Sequence, residues 1–232
     1  MSKIGIIGAM ELEVEELKQA MNVHSVTQKT SMKFYEGTLD NAQVVIVQCG
    51  IGKVNAGMCV QILADCFQVT HIINTGVAGS LNAALDIGDI VIGTEAIYHD
   101  MDVTPLGYEP GQVPGIPVKM FAADTAMVTA AKNSCEKVNP DIHVRLGRIA
   151  SGDQFISSKE VKNKILATVG GDCTEMEGAA IAHAATLNEI PFVIVRAISD
   201  KADDSAQMDY PSFERAAAAH CAALVKDFIQ VL

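Results

Sequence analysis

The chain has 232 residues, 49% hydrophobic and 19% charged, enough for a sizeable core and too apolar for a disordered tail. Its formal net charge of −11, with no block of like charges, argues against a surface that holds a nucleic-acid backbone. The N-terminal apolar run is too short for a signal segment, and no apolar stretch is long enough to span a bilayer, so no membrane association is expected.

In chain order, Lys3 to Ala9 reads as a buried strand and Glu11 to Met21 as a helix, with Leu12, Val14, Leu17 and Met21 spaced between glutamates. Met32 to Leu39 and Gln43 to Cys49 read as strands joined by a turn at Asp40-Asn41, and Gly50-Ile51-Gly52-Lys53 opens a helix to about Phe67. Thr70 to Thr75 is a strand ending at Gly76, and Gly88 to Tyr98 is another. Thr104 to Pro117 holds four of the seven prolines and three glycines, which predicts a loop. A helix over Ala123 to Val138, a strand over His143 to Ala150 and a helix over Ser158 to Val169, capped by Ser157 or Ser158, follow. The segment Thr174-Glu175-Met176-Glu177 leads into a helix from Glu177 to about Asn188 and looks at first like an acidic helix start. Pro191 to Asp200 is the clearest buried strand. The last helix, about Tyr210 to Leu232, places Phe213, Ala217, His220, Leu224, Phe228 and Leu232 on one face.

Strands alternating with helices predict a three-layer α/β fold with a central mixed sheet, and no linker divides residues 1–232, so one domain is expected. Six scattered cysteines without a CxxC pair point to free thiols in a reducing, cytoplasmic setting. Ligands of such sheets bind beyond the carboxyl ends of strands. The groups found there are Met10 and Glu13, Gly50-Ile51-Gly52, Gly76-Val77-Ala78-Gly79, Ser151 to Ile156, Glu175-Met176-Glu177 and Ser199-Asp200. Glycine-rich backbone, one aromatic and several carboxylates suit a neutral planar ligand with hydroxyls better than a polyphosphate. Gly50-x-Gly52-Lys53 lacks the other features of a P-loop, Gly5-x-x-Gly8 lacks the middle glycine of a dinucleotide motif, and His99-Asp100-Met101-Asp102 lacks the second histidine pair of a metal site.

Seven motifs in order carry a resemblance: Gly5 to Glu13, Gly50 to Val54, Ile73 to Gly79, Tyr98 to Asp102, Ser151 to Ile156, Glu175 to Glu177 and Val195 to Asp200. The chain resembles the bacterial 5′-methylthioadenosine/S-adenosylhomocysteine nucleosidases, within the purine nucleoside phosphorylase-like superfamily, from Lys3 to the last helix. The resemblance implies hydrolysis of an adenine nucleoside by an oxocarbenium-like route, with Asp200 protonating adenine N7, Ser199 holding Asp200, Glu13 activating water and Arg196 orienting the water or the glutamate. It implies Glu177 on the ribose diol, Met176 against the sugar, Glu175 in support, Phe155 and Ile156 at the purine, and Val77, Ala78 and Gly79 beside the substrate. Met10, Ile51, Val103, Leu106, Tyr108, Pro114 and Tyr210 would form the 5′-substituent pocket, with loop 104–117 supplied by the second subunit of a homodimer. No cofactor and no metal are implied. Leu106 and Tyr210 stand where family members often carry phenylalanine, and Val77 where they often carry serine. Rival readings are a phosphorylase of the same superfamily, an aminodeoxyfutalosine nucleosidase and a non-catalytic nucleoside-binding protein. A phosphorylase needs cations for phosphate, whereas Glu13, Ile51 and Val77 occupy the positions concerned.

Overall fold

A computed structural model describes residues 2–232. The elements in order are β1 (Lys3–Gly8), α1 (Glu11–Ala20), β2 (Asn22–Lys29), β3 (Met32–Leu39), β4 (Ala42–Gln48), α2 (Lys53–Phe67), β5 (His71–Ser80) and β6 (Ile90–Tyr98). They continue with β7 (Phe121–Ala122), α3 (Thr125–Val138), β8 (Val144–Ser151), α4 (Lys159–Thr168), β9 (Cys173–Glu175), α5 (Gly178–Leu187), β10 (Phe192–Asp200) and α6 (Ala206–Phe228).

All ten strands share one mixed sheet in the order β10-β6-β8-β9-β5-β1-β4-β3-β2, with β7 attached to β6. Because β10 also pairs with β5, the strands β5, β10, β6, β8 and β9 close into a ring, and β1, β4, β3 and β2 extend from it. β1 runs parallel to β4 and β5, and β5 to β10, so the carboxyl ends of these strands gather at one end of the sheet; β6, β8 and β9 are parallel to one another and antiparallel to β10 and β5, and the short β9 meets the end of β5 through Thr174 and Gly79. Apolar runs such as the wholly buried Phe192–Asp200 form strands here because helices cover both faces. One side is covered by α1, α3 and α6 through Val14, Leu17, Met127, Ala131, Leu224, Val225 and Phe228. The other is covered by α2 and α5 through Ala56, Cys59, Leu63, Ala179, Ala182 and Ala185. This is the three-layer arrangement the alternation predicts. No helix among the described residues is long and apolar enough to cross a membrane.

Four features depart from expectation. β2 is an added edge strand whose side chains are nearly all exposed, so it lacks the apolar alternation that marks a strand. β7 and β9 are two and three residues long, too short for any periodic signal. β5 does not stop at Gly76 but runs on through Val77-Ala78-Gly79 to Ser80, because Gly79 and Ser80 pair with β9. The last helix begins at Ala206, a turn before Tyr210, and its buried face carries Ala217, Ala218, Cys221, Leu224, Val225 and Phe228, while Phe213 is exposed. The proline-rich segment is irregular apart from one 3-10 turn at Thr104–Leu106, and Ser158 takes the N-cap position of α4 without a side-chain bond.

Candidate active site

The gathered strand ends enclose a cavity of about 310 Å³. Ala9 and Met10 come from the end of β1, Glu13 from the first turn of α1, and Val77-Ala78-Gly79 from β5. β9 and the turn after it supply Thr174 to Glu177, β10 supplies Ser199 and Asp200, and Ile51, Phe155 and Tyr210 complete the wall. A smaller recess adjoins it, bounded by Gln154, Phe155, Ile156, Thr174, Met176 and Asp200. Among the described residues, no lysine, arginine or histidine lines either space.

Glu13 is 5% exposed, although its sequence position suggested a solvated helix face. Its Oε2 accepts from the N–H groups of Ala9 (2.6 Å) and Met10 (2.9 Å), and its Oε1 from that of Val77 (3.1 Å). The contact of residue 77 with Glu13 is therefore made by the backbone. A Cβ at Gly76 would collide with Glu13 Oε1, so the close approach of the carboxylate to β5 needs glycine there. Burial pushes the Glu13 carboxyl above its usual range; the Arg196 guanidinium and the three N–H groups pull it back without cancelling the shift.

Asp200 sits at a bulge. β10 pairs Ile198 with Ala78 and Asp200 with Gly79, leaving Ser199 as an extra residue. The irregularity lets two consecutive side chains line one cavity, which a regular strand would send to opposite faces. Asp200 Oδ1 accepts from Ala202 N–H at 2.8 Å, and the Ser199 hydroxyl bonds Oδ2 at 3.0 Å. Burial raises its proton affinity, the Ala202 and Ser199 bonds oppose this, and Asp209 and Asp203 add to it.

Beneath the floor lies a charged network. Arg196 is fully buried, paired with Glu175 and donating to Asn74 Oδ1 at 2.6 Å; Asn74 in turn donates to the Ile7 carbonyl at 3.0 Å. Arg196 does not line the cavity. It makes no hydrogen bond to Glu13, and acts on it through charge. Its positive charge is held by Glu175, Glu13 and Glu177, which outweigh the cost of burial. Glu175 accepts from Ser151 and caps α5 through the N–H groups of Glu177 (3.2 Å) and Gly178 (2.8 Å). The acidic helix start is thus Glu175, which frees the Glu177 side chain for the cavity. Glu177 Oε1 accepts from Gly52 N–H at 2.8 Å, an N–H presented by backbone at φ 98°, and its other oxygen has no protein partner in that bond. Burial and the neighbouring Glu175 raise the Glu177 carboxyl's proton affinity, with Arg196 opposing.

Of the residues singled out from sequence, Val103, Leu106, Tyr108 and Pro114 do not line the cavity of their own chain, and Leu106 is 75% exposed. Ile156 bounds the recess only. Ala9 and Thr174 line the cavity and were not singled out; each stands beside a named motif residue, the only signal available. Asn74 was likewise missed, although one amide in an apolar strand is a readable sign. Asp100 accepts from Lys53 (2.6 Å) and Asp153 N–H (2.9 Å), and Asp102 from Thr104, so these carboxylates are held by hydrogen bonds within the protein. Chemically, the cavity offers three carboxyls whose proton affinity burial raises: Asp200 beside Ser199, Glu13 anchored by three N–H groups, and Glu177 with one oxygen engaged by Gly52.

The phosphorylase superfamily model matches residues 3–230. A 5′-methylthioadenosine/S-adenosylhomocysteine nucleosidase of Exiguobacterium sp. is 42% identical over 224 residues, covering 96% of this chain and 95% of the relative. The crystal structure of the nucleosidase of that name from Neisseria meningitidis, in complex with methylthio-immucillin-A, superposes with a TM-score of 0.96 at 40% identity over 100% of both chains. That from Colwellia psychrerythraea, in complex with adenine, gives 0.95 at 40% identity over 99% of this chain and 95% of the other.

Proposed function

The chain belongs to the phosphorylase superfamily and, within it, to the 5′-methylthioadenosine/S-adenosylhomocysteine nucleosidases, which makes it an N-glycosyl hydrolase, and we propose how its residues divide the reaction. The substrates are methylthioadenosine and adenosylhomocysteine, cleaved by water to adenine and the 5-thioribose sugar. The observation that carries this reading is a pair of buried carboxyls, both with raised proton affinity, on one cavity wall. Glu13 packs against Gly76 and Asp200 against Gly79, and both line the one cavity. Direct displacement by water uses two such carboxyls, one for the leaving group and one for the water.

In the proposed step, Asp200 gives its proton to adenine N7 and the C1′–N9 bond breaks with its electron pair going to the purine. Glu13 takes a proton from water as the water oxygen bonds C1′. Adenine lies in the recess with Phe155 on its face and the Ile156 backbone at its edge. The free Glu177 oxygen accepts from the ribose diol, and Met176 packs on the sugar. Arg196 serves through charge, keeping Glu13 ionised, and Ser199 steadies Asp200. A cavity wall without a cation favours water over phosphate as the acceptor.

Leu106, Tyr108 and Pro114 of loop 104–117, with Val103 just before it, miss their own cavity, which favours a homodimer in which this loop reaches the neighbouring site. Ile51 (54%), Val54 (73%) and Met58 (43%), exposed apolar residues around the start of α2, supply a surface for such a partner. Sedimentation at micromolar protein is expected to give a dimer; a fully active monomer would contradict it. One sheet running through the chain favours a single domain, and the five buried free thiols favour a cytoplasmic setting.

Product analysis tests the function. Adenine is expected from methylthioadenosine and adenosylhomocysteine, with no acceleration by phosphate; deoxyadenosine and aminodeoxyfutalosine complete the panel. No adenine from either thioether nucleoside would overturn the reading.

A further inference from the structure

The segment that follows Asp200 is pinned from outside the cavity. Ala202 has φ 49°, in the left-handed region that a residue with a Cβ adopts at a cost, so its surroundings must hold it there. It is wholly buried in a small apolar cluster with Leu81, Ile156 and Ile165. Ile165 belongs to α4, and Lys162 stands three residues earlier on the same face of that helix. The Lys162 ammonium donates to the carbonyl of Ser80 at the end of β5 (2.7 Å) and to that of Lys201 (2.6 Å).

The second bond reaches the reacting carboxyl. The Lys201 carbonyl and the Ala202 N–H are the two ends of one planar peptide group, and that N–H donates to Asp200 Oδ1 at 2.8 Å. A cation on the oxygen of an amide polarises its N–H and strengthens the bond that the N–H donates. A chain therefore runs from the Lys162 ammonium through one peptide to Asp200. The ammonium of Lys201 itself is turned away, to the Leu85 carbonyl and Asp86 Oδ1. The other charged groups around the carboxyl are Asp203 in the loop and Asp209 on α6, both anions, while Lys159 of α4 acts on Asp203. Burial and Lys201 loosen the hold of Lys162 on its proton, and Asp203 and Asp200 oppose this.

We propose that Lys162 is a positioning residue for the general acid: through the Lys201–Ala202 peptide it fixes Asp200 Oδ1 and places a positive charge one amide away from the reacting carboxyl. This rests on the nucleosidase reading above, with Asp200 as the acid. The two contributions carry opposite signs. Removing Lys162 loosens the acid and slows the reaction, yet it also removes a charge that favours the carboxylate, so the protonated, active form persists to higher pH.

The test follows kcat/KM for methylthioadenosine across pH in the wild type, K162M and K162R. Methionine keeps an apolar stem and loses the charge and both bonds. In K162M at neutral pH a loss of about tenfold is expected, a fraction of a general acid's contribution, carried by kcat with KM nearly unchanged. The alkaline limb of the profile moves up by about one pH unit, the low end of what a nearby opposite charge produces, so the deficit narrows as pH rises. K162R restores rate and limb together. A lysine that only braces the fold would lower the rate by one factor at every pH. An unshifted limb in K162M, a limb shifted equally in K162R, or a K162M as active as the wild type overturns the proposal. K162Q, neutral but still a donor, decides the matter if K162M does not fold, since its limb is expected to move in the same direction. Wild-type turnover with an unshifted limb in the variants overturns this inference alone, whereas a wild type that releases no adenine overturns the nucleosidase reading.

Discussion

Asp200→Asn is expected to lower kcat for adenine release by about 10³-fold, within the range that loss of a general acid produces. The amide keeps the shape and can keep the Ala202 N–H bond and the Ser199 contact, but has no proton to transfer to N7. A non-hydrolysable substrate analogue is therefore expected to bind the variant within a few-fold of the wild type. The pH profile supplies the sign. The reaction needs Asp200 protonated, and burial raises its proton affinity, so the acid form survives into less acidic solution and the rate falls as pH rises past that raised value. Turnover retained within tenfold in D200N, measured by adenine release, would remove Asp200 from the acid role.

Glu13→Gln is the second large effect, an expected loss of about 10²- to 10⁴-fold in kcat, as removal of a general base produces. The reaction needs Glu13 ionised. Because burial raises its proton affinity, the rate falls as pH drops through a value above the ordinary carboxylate range, and E13Q loses this acid limb. The substitution also carries a structural cost. Three N–H groups point at the two carboxylate oxygens, and a glutamine has one oxygen, so its NH₂ must face either Val77 N–H or those of Ala9 and Met10. A donor facing a donor costs about 1–3 kcal/mol, offset in part by the loss of a buried charge, so a lowered melting temperature accompanies the kinetic loss. Near-normal turnover in folded E13Q, followed by circular dichroism and adenine release, would overturn the base assignment.

The parts of the fold legible in sequence are those whose burial leaves an apolar imprint. β10 and β1 read as strands because helices cover both of their faces. β2 did not, because an exposed edge strand such as Asn22–Lys29 carries no such imprint. The closing of β10 onto both β5 and β6 is a non-local pairing that no local pattern encodes. The site divides in the same way. Asp200 is marked as a candidate by its place at the end of an apolar run, whereas Glu177 reads as part of an acidic helix start until the resemblance sets it apart. Glu13 does not, since four glutamates along α1 look alike until the Ala9, Met10 and Val77 N–H groups are seen to select one. Only the family resemblance reached it from sequence. The role of Asn74 depends on Arg196, 122 residues away in the chain.

The central claim is that water, activated at Glu13, is the acceptor. Hydrolysis of methylthioadenosine in ¹⁸O-labelled water containing millimolar phosphate measures it directly, by mass spectrometry of the sugar product. The expected result is one labelled oxygen at C1 of free 5-methylthioribose and a rate indifferent to phosphate. A sugar 1-phosphate, or an unlabelled C1 oxygen, would contradict it.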